Sequence, residues 1–190
     1  TRSGACLAVL NAMDAHFASM HVQEWGLRAL YNQCVHSIHA ETNKRTMLTS
    51  KLDISGASGG DVLERMILQN SSNELQWTAS SVLEWACRLC WGLTASSESI
   101  AELVSLRIDT IRELLHILER CRAVEDSSSQ LQEAILGIMA NRVRMPQHKN
   151  FLGTPDVIML ILDVMHGNKD YVGVQIEACN VIANVCGLLS

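Results

Sequence analysis

The chain has 190 residues, an apolar share of 48% and only two prolines, which together favour one helical domain with a substantial core. Its formal net charge is −5, whereas nucleic-acid-binding proteins carry a basic surface, so we expect no nucleic-acid partner. The apolar run 157–162 ends at Asp163 and is far shorter than the roughly 20 residues that a membrane-spanning helix needs.

The first predicted helix covers residues 4–16, and a second one follows from Val22 with the sequence VQEWGLRALYNQC. That second helix recurs three times, as LQWTASSVLEWAC, LQEAILGIMANRV and VQIEACNVIANVC. The four copies align on Gln23, Gln76, Gln132 and Gln175, at spacings of 53, 56 and 43 residues. Since helical-repeat units of two or three helices run to roughly 40–47 residues, the spacing indicates a repeat protein.

Positions −1, +3, +7 and +11 from each glutamine carry apolar or small residues, and steps of three and four place them on one stripe of a helix. Position +11 holds Cys34, Cys87, Val143 and Cys186. Buried free cysteine behaves as a small hydrophobe, so we expect these thiols in the core. Seven free cysteines indicate a reducing compartment, and we expect an intracellular, cytoplasmic chain.

A companion helix precedes each copy at a fixed offset. In three units a methionine stands ten residues before the glutamine: Met13, Met66 and Met165. In the same units a leucine stands thirteen residues before it: Leu10, Leu63 and Leu162. The third unit fits after a four-residue insertion in the polar loop 122–129. Its companion helix, residues 108–121, shows the clearest amphipathic pattern in the chain.

Short first helices complete the units. They are predicted at AETNKRTMLTSKL, at IAELVSL after the turn GLTASSES, and at QHKNFLGTPDV, where Pro155 begins the next helix. The glycine-rich stretch 55–60 is predicted to be a flexible link. The chain 1–190 is thus predicted to be one domain with units at roughly 1–35, 36–91, 92–144 and 145–190. No polar cap helix protects either end, so we expect a piece of a longer array or self-association through the ends.

The pattern of Gln, a small residue at +3, Leu or Ile at +7 and Asn at +9 resembles the third helix of an armadillo repeat. NKRTML and KNFLGTPDVIMLILDVM resemble its first and second helices, so the resemblance covers nearly the whole chain. It implies an all-α, right-handed α-solenoid of stacked three-helix repeats. It also implies a protein–protein interaction scaffold or adaptor, whose third helices line a concave groove and whose Asn side chains hold an extended peptide.

Three residues match that asparagine position, and Trp85 departs from it. The tryptophan that importin alpha carries at +5 is missing here, which argues against a nuclear-import receptor. Positions +5, +9 and +12 share one helix face. The candidate groove residues on it are Arg28, Asn32, Trp85, Arg88, Asn141, Arg144, Asn180 and Asn184. Amides can hold a peptide backbone, and arginines favour an acidic segment. Alternatively, each Asn bonds its own helix neighbours and each Arg pairs with a nearby acid.

The sequence contains no strong motif for a metal-binding or catalytic site. Cys87 and Cys90 form CRLC inside a predicted helix, and Cys34 lies near two histidines, but no second ligand pair has the spacing of a zinc site. No nucleophile elbow or phosphate loop is present. We therefore expect no enzyme activity, metal or cofactor, and a protein or peptide partner. The alternatives are a regulatory or structural segment that packs on another domain of the same chain, and a helical enzyme.

Overall fold

The computed structural model describes residues 3–71, 81–96, 100, 103–104, 106–122 and 128–187. Within those ranges the chain is all-α, as predicted, and its one β-bridge joins Lys51 to Ser58. No helix in this part of the chain is long and apolar enough to cross a membrane. The predicted short helix at 100–106, the loop core 123–127 and Gln76 lie wholly or partly outside the described residues.

Ten α-helices and one π-helical turn make up the described ranges. They are α1 Ser3–Ala15, α2 Met20–Tyr31, the π-helical turn Asn32–His36, α3 Ala40–Thr49, α4 Gly59–Ser71, α5 Ser81–Thr94, α6 Ile108–Arg122, α7 Ser129–Arg142, α8 Pro146–Leu152, α9 Pro155–Gly167 and α10 Val172–Val185. The amphipathic pattern of α6 is confirmed, because Ile111, Leu114 and Leu118 are buried and Arg112 is exposed.

The helices form two layers. The copies of the repeated helix, α2, α5, α7 and α10, pack side by side in chain order, and we call them the third-helix row. The companion helices α4, α6 and α9 pack in a second row. Each repeated helix also contacts its own companion helix, which for α2 is α1. The apolar stripe predicted from the register therefore lies between the two rows.

Two of the shared glutamines, Gln23 and Gln175, bind the ends of their companion helices. The Nε2 of Gln23 donates to the carbonyl oxygens of Met13 at 2.8 Å and His16 at 3.0 Å. Gln175 repeats this contact in the last unit, with the same offsets of ten and seven residues. Since the last carbonyls of a helix lack intrahelical partners, this bond explains why a glutamine stands at that place.

Burial at +11 corrects one expectation. Cys34, Cys87 and Val143 are completely buried, as predicted, but Cys186 is exposed. The prediction of a buried thiol is wrong at Cys186, because the helices that pack on α10, α7 and α9, leave this residue exposed.

The link 55–60, which was predicted to be flexible, forms a hydrogen-bonded turn. Gly56 adopts φ +65°, a left-handed conformation that glycine tolerates best. The Asp14 carboxylate on α1 accepts from the backbone N–H of Ser55 at 3.0 Å. At the other end, Ser58 and Asp61 exchange side-chain-to-backbone bonds that cap α4.

Candidate partner-binding surface

Three of the eight candidate groove residues meet at one place on the third-helix row. Arg28 projects from α2, and Trp85 and Arg88 project from the neighbouring helix α5. The other candidates are distributed along the row: Asn32 is exposed after α2, Arg144 is exposed after α7, and the remaining asparagines lie on α7 and α10.

The centre of this surface is a stack of guanidinium groups on indole rings. The Cζ of Arg28 lies 4.9 Å from the ring centroid of Trp25 and 5.2 Å from that of Trp85. The Cζ of Arg88 lies 5.3 Å from the centroid of Trp85. At these distances the positive groups are attracted to the negative faces of the rings. Trp25 is 65% exposed, so a large flat surface remains available to a partner.

Tyr31 adds an aromatic edge that the sequence analysis did not single out. Its ring centroid lies 5.5 Å from that of Trp85 at an interplanar angle of 69°, a favourable edge-to-face arrangement. Its position three residues after Arg28 was a usable signal, because residues at that spacing share a helix face. We call Trp25, Arg28, Tyr31, Trp85 and Arg88 the Trp85 cluster.

Each arginine of the cluster already has a carboxylate partner on its own helix. Arg28 lies 2.6 Å from Glu24, and the Nε of Arg88 lies 3.1 Å from Glu84, both at i, i+4 spacing. Glu84 also accepts a hydrogen bond from the Ser128 hydroxyl at 2.9 Å. The alternative pairing with neighbouring acids is therefore present for these two arginines. Such partly exposed pairs are weak, about 0–1 kcal/mol, so a ligand carboxylate can compete with them.

Two of the predicted asparagines join consecutive third helices. The Nδ2 of Asn184 on α10 donates to the carbonyl oxygen of Ala140 on α7 at 2.8 Å. The Nδ2 of Asn141 on α7 donates to the Thr94 hydroxyl on α5 at 3.3 Å. The alternative interpretation, in which each Asn bonds its own helix neighbours, does not describe these two residues, because each Nδ2 bonds the preceding helix. Both hold the row together, so their contribution to an extended ligand stays a prediction.

Acidic groups gather where α7 meets α10. The Tyr171 hydroxyl donates to Glu133 at 3.1 Å. Burial raises the pKa of Glu177; a hydrogen bond from Asn180 opposes that shift, and the nearby Glu133 charge adds to it. Asn180 is thus occupied with Glu177, and this end of the row offers carboxylates rather than arginines.

Position +5 of the third unit is closed. A Cβ at Gly137 would overlap the indole of Trp91, which extends from α5. Gly137 is buried and contributes nothing to the face that positions +5, +9 and +12 share. The glycine in the register was the signal, because a missing side chain accommodates a large neighbour.

Cys87 and Cys90, the pair in the CRLC sequence, offer no thiolate for metal or nucleophilic chemistry. Cys87 and Cys90 are buried inside α5, and burial raises the pKa of Cys90 to about 12. Metal ligation and nucleophilic attack require the thiolate. In the ranges that the structure describes, no group of three or more His, Cys, Asp or Glu residues could hold a metal ion.

Comparisons with protein-family models, with curated proteins and with solved structures find no match. The class of protein is therefore defined by the fold alone: the described residues form an all-α protein with a helical-repeat-like arrangement. Its resemblance to armadillo repeats rests on the register and on the residues named above.

Proposed function

We propose that this chain is a protein-interaction module of armadillo-like repeats, and that its third-helix row binds an extended segment of a partner protein. The observation that carries the proposal is the Trp85 cluster, in which two tryptophans, a tyrosine and two arginines from different helices meet at the surface. Trp, Tyr and Arg are the residue types that dominate the energetics of protein interfaces.

The row is long enough to suit a chain rather than a small molecule, because four helices pack side by side in it and offer a continuous surface to an extended segment. The half-buried edges of Asn141 and Asn184 follow the Trp85 cluster along the row. A cytoplasmic location and the absence of catalysis belong to the same proposal.

The cluster favours an acidic segment over a basic one. Arg28 lies against the faces of both Trp25 and Trp85, so these indoles already hold a cation. A lysine or arginine from a partner would have to displace it. A carboxylate can instead replace Glu24 or Glu84 at a guanidinium, with its neighbouring side chain lying on the exposed ring of Trp25.

The test is a selection of random linear peptides on the unmodified chain, followed by affinity measurement on two variants. Arg88→Ala removes a cluster residue. The matched control is Arg112→Ala, which removes an arginine stacked at 5.5 Å on Phe151 in the other layer. We expect Arg88→Ala to weaken the selected peptides about tenfold or more, equivalent to about 1.4 kcal/mol, and Arg112→Ala to leave them unchanged. Peptides that bind both variants equally, or that are rich in lysine and arginine, would overturn the proposal.

A further inference from the structure

Two buried thiols meet between the first two helices of the chain. Cys6 lies on α1 and Cys34 lies in the π-helical turn that follows α2, and each is 0% exposed. The Cys6 thiol donates a hydrogen bond to the Oε1 of Gln33 at 2.8 Å. The Cys34 thiol is in turn hydrogen-bonded to Cys6. These side chains thus form a short series of hydrogen bonds that runs from Cys34 through Cys6 to the amide of Gln33.

Helix packing explains why these positions meet. A short connection joins α1 to α2, and the two helices lie side by side, so α2 runs back along α1 and its end reaches Cys6. The helices are so close at Gly26 that an added Cβ would overlap the Sδ of Met13. The Nδ2 of Asn43 on α3 donates to the carbonyl oxygen of Gln33 at 2.8 Å, which holds the π-helical turn in place. Although π-helical turns are rare, they are often found at functional sites.

The repeat itself does not require a pair of thiols at this place. Cys6 stands seventeen residues before the shared glutamine of its unit, and the second and fourth units carry Gly59 and Ile158 at that position. Cys34 shares its position, +11, with Cys87 of the second unit. Of these three units, only the first therefore has a cysteine at both positions, so the pair is a feature of that unit and not of the repeat.

The two thiols differ in acidity. The hydrogen bond from Cys34 lowers the pKa of Cys6 because it stabilises the Cys6 thiolate, and burial opposes that shift. The same bond raises the pKa of Cys34, since the proton that it donates is held there, and burial raises it further. Cys6 is therefore the first of the pair to lose its proton. Because the thiolate is the reactive form of cysteine, Cys6 is the nucleophile, and Cys34 is positioned to react with its oxidised form.

We propose that Cys6 is a site of oxidation by hydrogen peroxide, and that the product is a disulfide with Cys34, whose thiol already contacts it. The Cys6 thiolate attacks one peroxide oxygen and the O–O bond breaks, which leaves a sulfenic acid on Cys6 and a hydroxide that takes up the released thiol proton as water. The Cys34 sulfur then attacks the Cys6 sulfur, the S–O bond breaks, and a second water carries away the Cys34 proton. Two thiols and one peroxide thus give one disulfide and two waters.

A molecule as small as hydrogen peroxide has a short path to Cys6. Ala5 and Ala8 on either side of it are exposed, and the half-buried Gln33 side chain covers its sulfur. Rotation of that one side chain opens the sulfur to solvent, and such rotations are fast compared with thiol oxidation.

The disulfide joins α1 to the end of α2 and closes a loop from position 6 to position 34. Such a bond restrains the unfolded chain and thereby stabilises the folded one. Cellular thiols reverse it by exchange, as they do for the transient, redox-sensing disulfides of reducing compartments. The modification is therefore compatible with a chain whose other thiols stay free.

The experiment is peptide mapping after the folded chain has been treated with hydrogen peroxide. Cys179 and Cys186, which are exposed, are first replaced by serine so that no bond forms between chains. After the treatment, the remaining free thiols are alkylated in denaturant and the chain is cut with trypsin. Cys87 and Cys90, which are completely buried, should be recovered alkylated and serve as the internal control.

Trypsin separates the two thiols of the pair. It cleaves after Arg28, so that Cys6 is the one cysteine of the peptide 3–28 and Cys34 the one cysteine of the peptide 29–44. We expect the two peptides to be recovered joined, two hydrogen atoms lighter than the two together, and to separate when they are reduced with dithiothreitol.

Serine variants test the role of each thiol. In Cys34→Ser the Cys6 thiol still reacts but has no neighbour to attack it, so we expect a sulfenic acid on Cys6 that dimedone traps. In Cys6→Ser we expect Cys34 to stay reduced, because it lacks the acidity for direct attack on peroxide. Cys90→Ser removes another completely buried thiol and is the matched control, which should retain the disulfide.

Three results would overturn the proposal. In the first, Cys6 stays reduced at a peroxide concentration that oxidises the exposed thiols of the unmodified chain. In the second, Cys6 and Cys34 are both oxidised without being joined. In the third, Cys34 is oxidised equally fast in Cys6→Ser, so that Cys6 is not the reacting thiol. The first two results come from a chain that keeps both thiols, so they decide the matter even where a serine variant fails to fold.

Discussion

The side-chain Nε2 of Gln175 donates a hydrogen bond to the carbonyl oxygen of Met165, ten residues earlier, at 2.8 Å. Gln23 makes the same bond to Met13 in the first unit. A glutamine and a methionine that recur at a fixed spacing are therefore two ends of one contact, which fixes the third helix of a unit against the end of its companion.

We expect Gln175→Glu to destabilise the chain by about 1–3 kcal/mol. The substitution keeps the shape of the side chain but removes the donor that the carbonyls of Met165 and Asn168 share, and it turns an acceptor toward them. Urea unfolding followed by circular dichroism measures the loss. Gln130→Glu, at an exposed position on α7, is the control and should change stability by less than about 0.5 kcal/mol. Equal midpoints for the two variants would contradict this role of Gln175.

Gly137→Ala should destabilise the chain by about 1–3 kcal/mol, although alanine is the better helix former. Its Cβ would overlap the Trp91 indole, which packs on the glycine backbone. Gly167→Ala is the matched control, because no atom lies within 4 Å of the added Cβ there. A smaller loss from Gly137→Ala in a Trp91→Leu background, again measured by urea unfolding, would show that the indole is responsible. Equal losses in both backgrounds would exclude it.

Arg28→Glu and Arg144→Glu should differ in their effect on thermal stability. Arg28 is held by Glu24 and by two indole faces, so its reversal removes these attractions and sets two carboxylates together, at a cost of about 1–2 kcal/mol. Arg144 is exposed, and its reversal should change stability by less than about 0.5 kcal/mol. Arg28→Glu in a Glu24→Gln background should lose less, since the repulsion is gone. Identical melting temperatures for the two single variants would show that the contacts of Arg28 in the Trp85 cluster contribute no stability.

His148 should make the chain sensitive to mild acid. Burial lowers the pKa of this histidine, and the charge of Arg142 lowers it further. Its folded pKa thus lies below the unfolded value of about 6.5, so its contribution to stability is complete above that pH and is lost as pH falls toward the folded pKa. Between about pH 7.5 and pH 5 the urea midpoint of the unmodified chain should fall more than that of His148→Gln. His116→Gln, at an exposed site, is the control and should follow the unmodified chain, whereas parallel curves for His148→Gln would refute the prediction.

Much of the helical layout could be predicted because it depends on local spacing. Apolar residues at steps of three and four fix a helix and its buried side without knowledge of the neighbours, as α6 and the buried Leu30, Leu83 and Met139 illustrate. The recurring glutamines likewise predicted that the same helix is repeated from unit to unit. The hydrogen bond that the turn at 55–60 makes to Asp14 could not be predicted, because Asp14 lies about forty residues earlier in the chain, on α1.

The candidate surface could likewise be predicted only in part. The sequence by itself determined that Arg28, Trp85 and Arg88 share one face of their helices, since that follows from helical periodicity. Only the tertiary structure decided that Arg28 of α2 stacks on Trp85 of α5, and that Trp91 closes the position of Gly137. It also decided that Cys87 is buried and Cys186 exposed at one and the same register position. The physical reason is that burial and side-chain contact depend on which helix lies opposite, and the spacing of residues within one helix does not contain that information.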